Sequence, residues 1–287
     1  MSPGPGMSPR FTAAQAQVAL AIAAFLLVFL MLPVLNVIHI AVTEPDGAPT
    51  LEHFRSFFSL TLMRESFWNS LYVALMTVLC ASVIAVPLAY LTVRFQFRGA
   101  ALIQTLGVLP LVMPAFVGAA AMQLLFGRSG SVNLLLTDWF DISLPLMQGL
   151  NGVIFVEALH YFPFILLNLA ASLANVDVAM EEAAQNLGAS RGRTIVRVVV
   201  PLMMGGLLAG FVTSFITAAG EISETILLTS RESLAPMFYG IYPYMQSIAG
   251  RGPGAALGVL AVVLVAFGTY LSHRFVASRH AATERRT

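Results

Sequence analysis

Three carboxylates stand inside otherwise apolar runs: Glu157, Glu221 and Glu224. An ionisable group at bilayer depth is costly and is a candidate for function by default. Glu221 and Glu224 are three residues apart, which on a continuous helix puts both on one face, with Ser214, Thr217, Ser223 and Thr225 nearby. Two readings are open for such a face. Either it lines a path that attracts cations, or each acid is satisfied by a neighbouring helix or lies near the outer mouth. The same two readings apply to Glu157, where the structural one comes first. His160 follows Glu157 by one helical turn and could pair with it. Two such residues fall short of the three or four ligands a metal site needs, so no bound metal or cofactor is expected. Asn36, His39, Gln104 and Gln123 suit hydrogen bonds between helices.

Nucleophilic chemistry has one candidate, Ser129 in Gly127-Arg128-Ser129-Gly130, a G-x-S-G pattern. A serine needs a histidine within reach to take its proton. His273 falls at the opposite end of its apolar run, about 30 Å away by bilayer thickness, and His160 is at the wrong depth. An intramembrane serine protease is therefore the weakest alternative. Cys80 is the only cysteine, which removes intramolecular disulfides and cysteine zinc sites and leaves it as a small packing residue. All 15 basic residues are arginine. A phosphate-binding P-loop needs a lysine, so if the chain does ATP-driven work, another chain must bind the ATP.

The elements that carry these residues follow from composition. Charged residues make up 10% of the 287 and hydrophobic residues 58%, with a mean hydropathy of +0.83. Soluble domains are about 25% charged. A water-soluble enzyme, a disordered chain and a nucleic-acid binder are excluded on that ground. Six stretches are long enough to span a bilayer: Val18–Val42, Phe67–Val93, Ala101–Phe126, Gly149–Leu173, Val198–Leu228 and Ala255–Val276. The expected fold is all-α, a six-helix membrane domain over residues 18–276. A flexible head covers 1–17, rich in Pro, Gly and Ser through Phe11, and a tail covers 277–287. The first stretch exceeds a signal-peptide core and lacks a clear cleavage site. Ten of the 15 arginines fall on the side of the termini, which places both termini in the cytoplasm. Pro33, Pro87, Pro110, Pro114, Pro163 and Pro201 lie in or beside spans, and the close pair Pro110 and Pro114 should break the third.

Between the fourth and fifth stretches runs Asn175-Val176-Asp177-Val178-Ala179-Met180-Glu181-Glu182-Ala183-Ala184-Gln185-Asn186-Leu187-Gly188-Ala189-Ser190. Asn175 or Asp177 suits a helix N-cap. Met180, Ala183, Ala184 and Leu187 recur at helical spacing. Gly188 suits a left-handed stop, and Ser190 can cap a second helix leading through Arg191, Arg193 and Arg197 to Pro201. The stripe either packs on the protein's own helix ends or receives another surface, which the small Ala183 and Ala184 would let approach closely.

Glu182-Ala183-Ala184, Gly188 and Val198-Val199-Val200-Pro201 keep every spacing of the EAA signature, and the segment resembles that of ABC importer permeases, with valine replacing isoleucine and leucine. What the resemblance implies is a type I importer subunit of the bacterial inner membrane. In it, 175–196 carries a coupling helix (177–188) that docks on a separate ATPase dimer through Glu182, Ala183, Ala184 and Gly188, with Pro201 closing the motif. It further implies a second permease subunit, identical or homologous, and an extracytoplasmic solute-binding protein. Leu109-Pro110-Leu111-Val112-Met113-Pro114-Ala115-Phe116-Val117-Gly118, followed by Leu125-Phe126-Gly127, is similar to permeases for ferric iron, polyamines and 2-aminoethylphosphonate. A secondary transporter or channel acting alone is the alternative.

Overall fold

The computed structural model describes residues 13–229 and 251–284, and the described part is helical apart from short connections. Of the head expected over 1–17, residues 1–12 lie outside the described residues, and 13–17 already belong to the first helix; of the tail, 285–287 lie outside. The expected spans all appear: α1 (Ala14–Val42), α3 (Thr61–Arg94), α7 (Gly149–Ala174), α9 (Arg191–Ala219) and α11 (Arg251–Glu284) are continuous. The third is broken into α4 (Ala100–Val108, extended by a tight turn to Val112) and α5 (Ala115–Phe126); the Ala100–Val112 part meets the stretch Ala115–Phe140 at 108°. Short helices fill the connections: α2 (Glu52–Ser59), α6 (Ser131–Phe140), α8 (Val178–Asn186) and α10 (Ser223–Leu228).

The prolines divide into three kinds. Pro114, beside Pro110, stands at the break of the third span, where its extended backbone starts α5. Pro87 and Pro163 are absorbed inside α3 and α7. Pro33 and Pro201 instead follow widened π-turns, Leu27–Met31 and Ile195–Val199. A proline clashes with the carbonyl four residues before it. At Pro201 that carbonyl is Arg197's, inside a turn where Val200 N–H reaches back five residues to the Ile195 oxygen.

The centre of the bundle is α3 against α7, with α9 laid on both. Ala81, Ala85 and Ala89 of α3 are fully buried against Ile165, Leu166, Leu169 and Leu173 of α7, with Val199 and Met203 completing the cluster. Lipid is as apolar as leucine, so membrane helices gain by close approach of small residues. Gly206 and Gly210 serve the same end on α9. A Cβ at Gly206 would collide with Ser172 and the Asn168 carbonyl, and one at Gly210 would lie 2.7 Å from Ile165 Cα. By contrast, α1 buries none of its most apolar window within the chain, and touches α11 through Ala41, Ala255 and Ala256.

Three expectations need correction here. The fifth span ends at Ala219; Gly220, Glu221 and Ile222 interrupt it before α10 begins. Cys80 is exposed, not packed, and borders a shallow groove with Tyr72, Met76, Ile84 and Phe155. Among the described residues, Asn36, His39, Gln104 and Gln123 make no hydrogen bond between helices; His39 approaches only Thr43 of its own chain segment.

Candidate functional site

The α8 segment is built by local rules. The Asp177 carboxylate accepts from Ala179 N–H at 2.9 Å and caps the helix. At the other end Gly188 has φ +87°. Its N–H bonds the Gln185 carbonyl at 2.9 Å, and Ala189 N–H bonds the Ala184 carbonyl at 3.1 Å. That pair is the Schellman stop, which needs a left-handed residue where glycine is the cheapest choice. Ser190 occupies the cap position of the next turn with extended backbone, but its side chain makes no capping bond.

The two adjacent glutamates of α8 face opposite ways. Glu181 is buried, with its Oε1 2.7 Å from Arg94 Nη2. Glu182 is exposed, together with Ala183. The apolar stripe does not pack inward: Met180 is 49% exposed and Leu187 89%. No atom lies within 4 Å of where a Gly188 Cβ would stand. The outer surface of α8 therefore offers apolar side chains, one carboxylate and an open glycine turn. Arg94 is the residue that sequence reasoning missed. It counted only among the charges that set orientation, and spacing gives no sign of a partner so far along the chain.

The intramembrane acids come together differently from the expectation. Gly220 and Ile222 break the helix, so Glu221 and Glu224 do not share one continuous face. Glu221 Oε1 accepts from Ser223 N–H at 2.7 Å and holds the start of α10, while its Oε2 accepts from Tyr161 Oη at 2.7 Å. Glu224 is fully buried, and its Oε1 lies 2.9 Å from His160 Nδ1. His160 thus pairs with Glu224 and not with Glu157. Glu157, 1% exposed, accepts from Thr77 Oγ1 at 3.0 Å, and its Oε1 has no hydrogen-bond partner among the described residues. Ser214 donates to the Tyr161 carbonyl at 3.2 Å. The cluster ties α7 to α3, α9 and α10 at the point where the fifth span breaks. No group of three or more metal-ligating side chains occurs among the described residues.

Ser129 lies in a turn whose glycines are required by the backbone. A Cβ on Gly130 would come 2.5 Å from the Leu125 carbonyl oxygen. The turn is fastened by Asn133, whose amide donates to the Phe126, Gly127 and Leu144 carbonyls at 3.1, 2.8 and 3.0 Å. With His160 engaged by Glu224, the G-x-S-G match reads as turn chemistry.

Apolar spans, one of them broken, around a tightly packed α3–α7 pair, with the short α8 outside it, define a polytopic α-helical membrane protein. Residues 81–281 match the family described as binding-protein-dependent transport system inner membrane component. The molybdenum transport system permease protein ModB of Haemophilus influenzae is 31% identical over 71% of this chain and 89% of its own. The spermidine/putrescine transport system permease protein PotB of the same organism is 27% identical, covering 68% of this chain and 71% of its own. Among solved structures, a bacterial alginate ABC transporter in complex with an alginate pentasaccharide-bound periplasmic protein contains a chain of the same fold. It has a TM-score of 0.74 and 20% identity, and the match covers 91% of this chain and 94% of that one. The chain belongs to this inner-membrane family and is the permease subunit of an ABC importer.

Proposed function

We propose that the chain works as one of two paired transmembrane subunits, identical or homologous, driven by a separate dimer of ATPase subunits that bind ATP and Mg. The α8 helix is the coupling helix of this reading, and Met180, Glu182, Ala183, Ala184, Leu187 and Gly188 form the face that enters the ATPase. The reading rests on one observation: the stripe that could have packed on the protein's own helix ends is turned outward. Both termini are cytoplasmic, on the side of ten of the 15 arginines, and an extracytoplasmic binding protein delivers the solute at the other side. A secondary transporter or channel acting alone would leave this surface without a partner.

Relatives of similar identity are described for a metal and for polyamines, so solute choice belongs to the binding protein. All three acids are tied within the protomer; Glu221 alone is only half-buried, and for that reason it is the one we assign to the solute path. The expected result for Glu221→Gln is a fall of about fivefold in uptake of a cationic solute, within the usual range of coupling effects. Uptake equal to the parent protein would make Glu221 a purely structural residue.

The assembly is tested by purifying the tagged chain in mild detergent with mass spectrometry of what accompanies it. An ATPase should be recovered, with the binding protein after crosslinking. Its absence, even when crosslinked through Glu182→Cys in a Cys80→Ser background, overturns the coupling-helix assignment. The recovered binding protein is then titrated with molybdate, ferric iron, spermidine and 2-aminoethylphosphonate.

A further inference from the structure

Arg94 is the last residue of α3, and its guanidinium stands where three elements meet. One nitrogen, Nη2, lies 2.7 Å from Glu181 Oε1 and donates to the Val176 carbonyl at 3.1 Å. Both charged side chains are about nine-tenths buried, 10% and 11% exposed. Val176 belongs to the three-residue link between α7 and α8, and its N–H bonds the Leu173 carbonyl at 3.1 Å. The guanidinium thus faces the negative end of α7, and the Glu181 carboxylate stands in the positive first turn of α8; both placements are favourable. The pair differs in kind from Arg55–Glu52, which spans 3.9 Å at 82% and 65% exposure and is worth little. A desolvated pair cannot lose one member without leaving the other stranded.

We propose that Arg94 is a positioning residue of the transport cycle, whose bridge to Glu181 and Val176 fastens α8 to the packed α3–α7 pair. The proposal rests on the reading of α8 as the ATPase-docking helix. Backbone torsions are the soft coordinates of a chain. Without the bridge, a push on α8 is taken up in the Asn175–Asp177 link and the Gly188 turn. With it, the push reaches α3 and α7, which share a large cluster of buried residues. The same contact turns Glu181 inward and leaves Glu182 outward.

The test uses the whole transporter in proteoliposomes with Arg94→Gln, Arg94→Lys, Glu181→Gln and the exchange Arg94→Glu with Glu181→Arg. For Arg94→Gln and Glu181→Gln, the ATPase should still co-purify, uptake should fall about tenfold, and amide exchange across Val178–Asn186 should quicken while α3 and α7 stay protected. Arg94→Lys and the charge exchange should each recover part of the uptake. Full uptake with unchanged exchange in Arg94→Gln overturns the proposal, as does lost uptake with unchanged α8 exchange and no recovery by Arg94→Lys. Should Arg94→Gln fail to reach the membrane, Arg94→Lys decides: parental uptake and exchange with the lysine overturn the bridge. Failure of the docking reading is read separately, from Glu182→Arg. If that variant keeps both ATPase binding and uptake, docking is wrong. If it loses them while Arg94→Gln behaves as the parent, only the bridge is wrong.

Discussion

Glu182→Arg and Gly188→Leu should each leave the chain inserted in normal amount while uptake falls by about tenfold or more and ATP hydrolysis no longer responds to the loaded binding protein. The size follows from the usual coupling free energy between sites, about 1–3 kcal/mol, which on the proposed docking of α8 would enter through these two residues. Glu182 points away from the bundle, so reversing its charge costs the isolated chain little and acts on the partner. Gly188 carries two separable burdens. Its φ of +87° makes any side chain strained, by about 1–2 kcal/mol, and its open surroundings are where a docked subunit would close in. Gly188→Asn separates them, since asparagine tolerates the left-handed turn but still projects a side chain. If asparagine restores uptake fully, the glycine serves only the turn. Parental uptake in both Glu182→Arg and Gly188→Leu would remove α8 from the coupling path.

A second large effect is expected in the membrane interior. His160→Leu leaves the fully buried Glu224 without the nitrogen now 2.9 Å away. A buried polar group stripped of its partner costs about 1–3 kcal/mol, enough to lower the melting temperature of the purified protein by several degrees. Glu224→Leu strands His160 in the same way. The double substitution removes both groups and should cost clearly less than the sum of the singles, giving a coupling energy on the order of 1 kcal/mol in a double-mutant cycle. Thermal unfolding of the four proteins in one detergent measures it. Simple additivity would mean that the contact does not hold α10 to α7.

The apolar stretches, the break at Pro110 and Pro114, a cap at Asn175 or Asp177 and the stop at Gly188 were legible in the sequence; the structure chose Asp177 and ended the fifth span at Ala219. Each depends on quantities summed over neighbouring residues: apolar length against bilayer thickness, a missing backbone donor, a side chain two residues from its amide. The EAA spacing was legible for the same reason, being a local pattern of roughly twenty residues that the family match then covered. What only the tertiary structure decided is which groups meet across helices. Glu181 and Glu182 are indistinguishable in sequence, and the placement of Arg94 at the end of α3 sends one inward and leaves the other out. His160 could have paired with Glu157 one turn away, yet Glu224 on α10 takes it. The shared face expected for Glu221 and Glu224 required a continuous helix, and the chain instead breaks at Gly220, where Glu221 accepts from Ser223 N–H at the start of α10 and from Tyr161 of α7. Local patterns specify where helices start, stop and bend. The partner of a buried charge is set by how those helices pack, because only packing brings together residues far apart in the chain and excludes the other candidates.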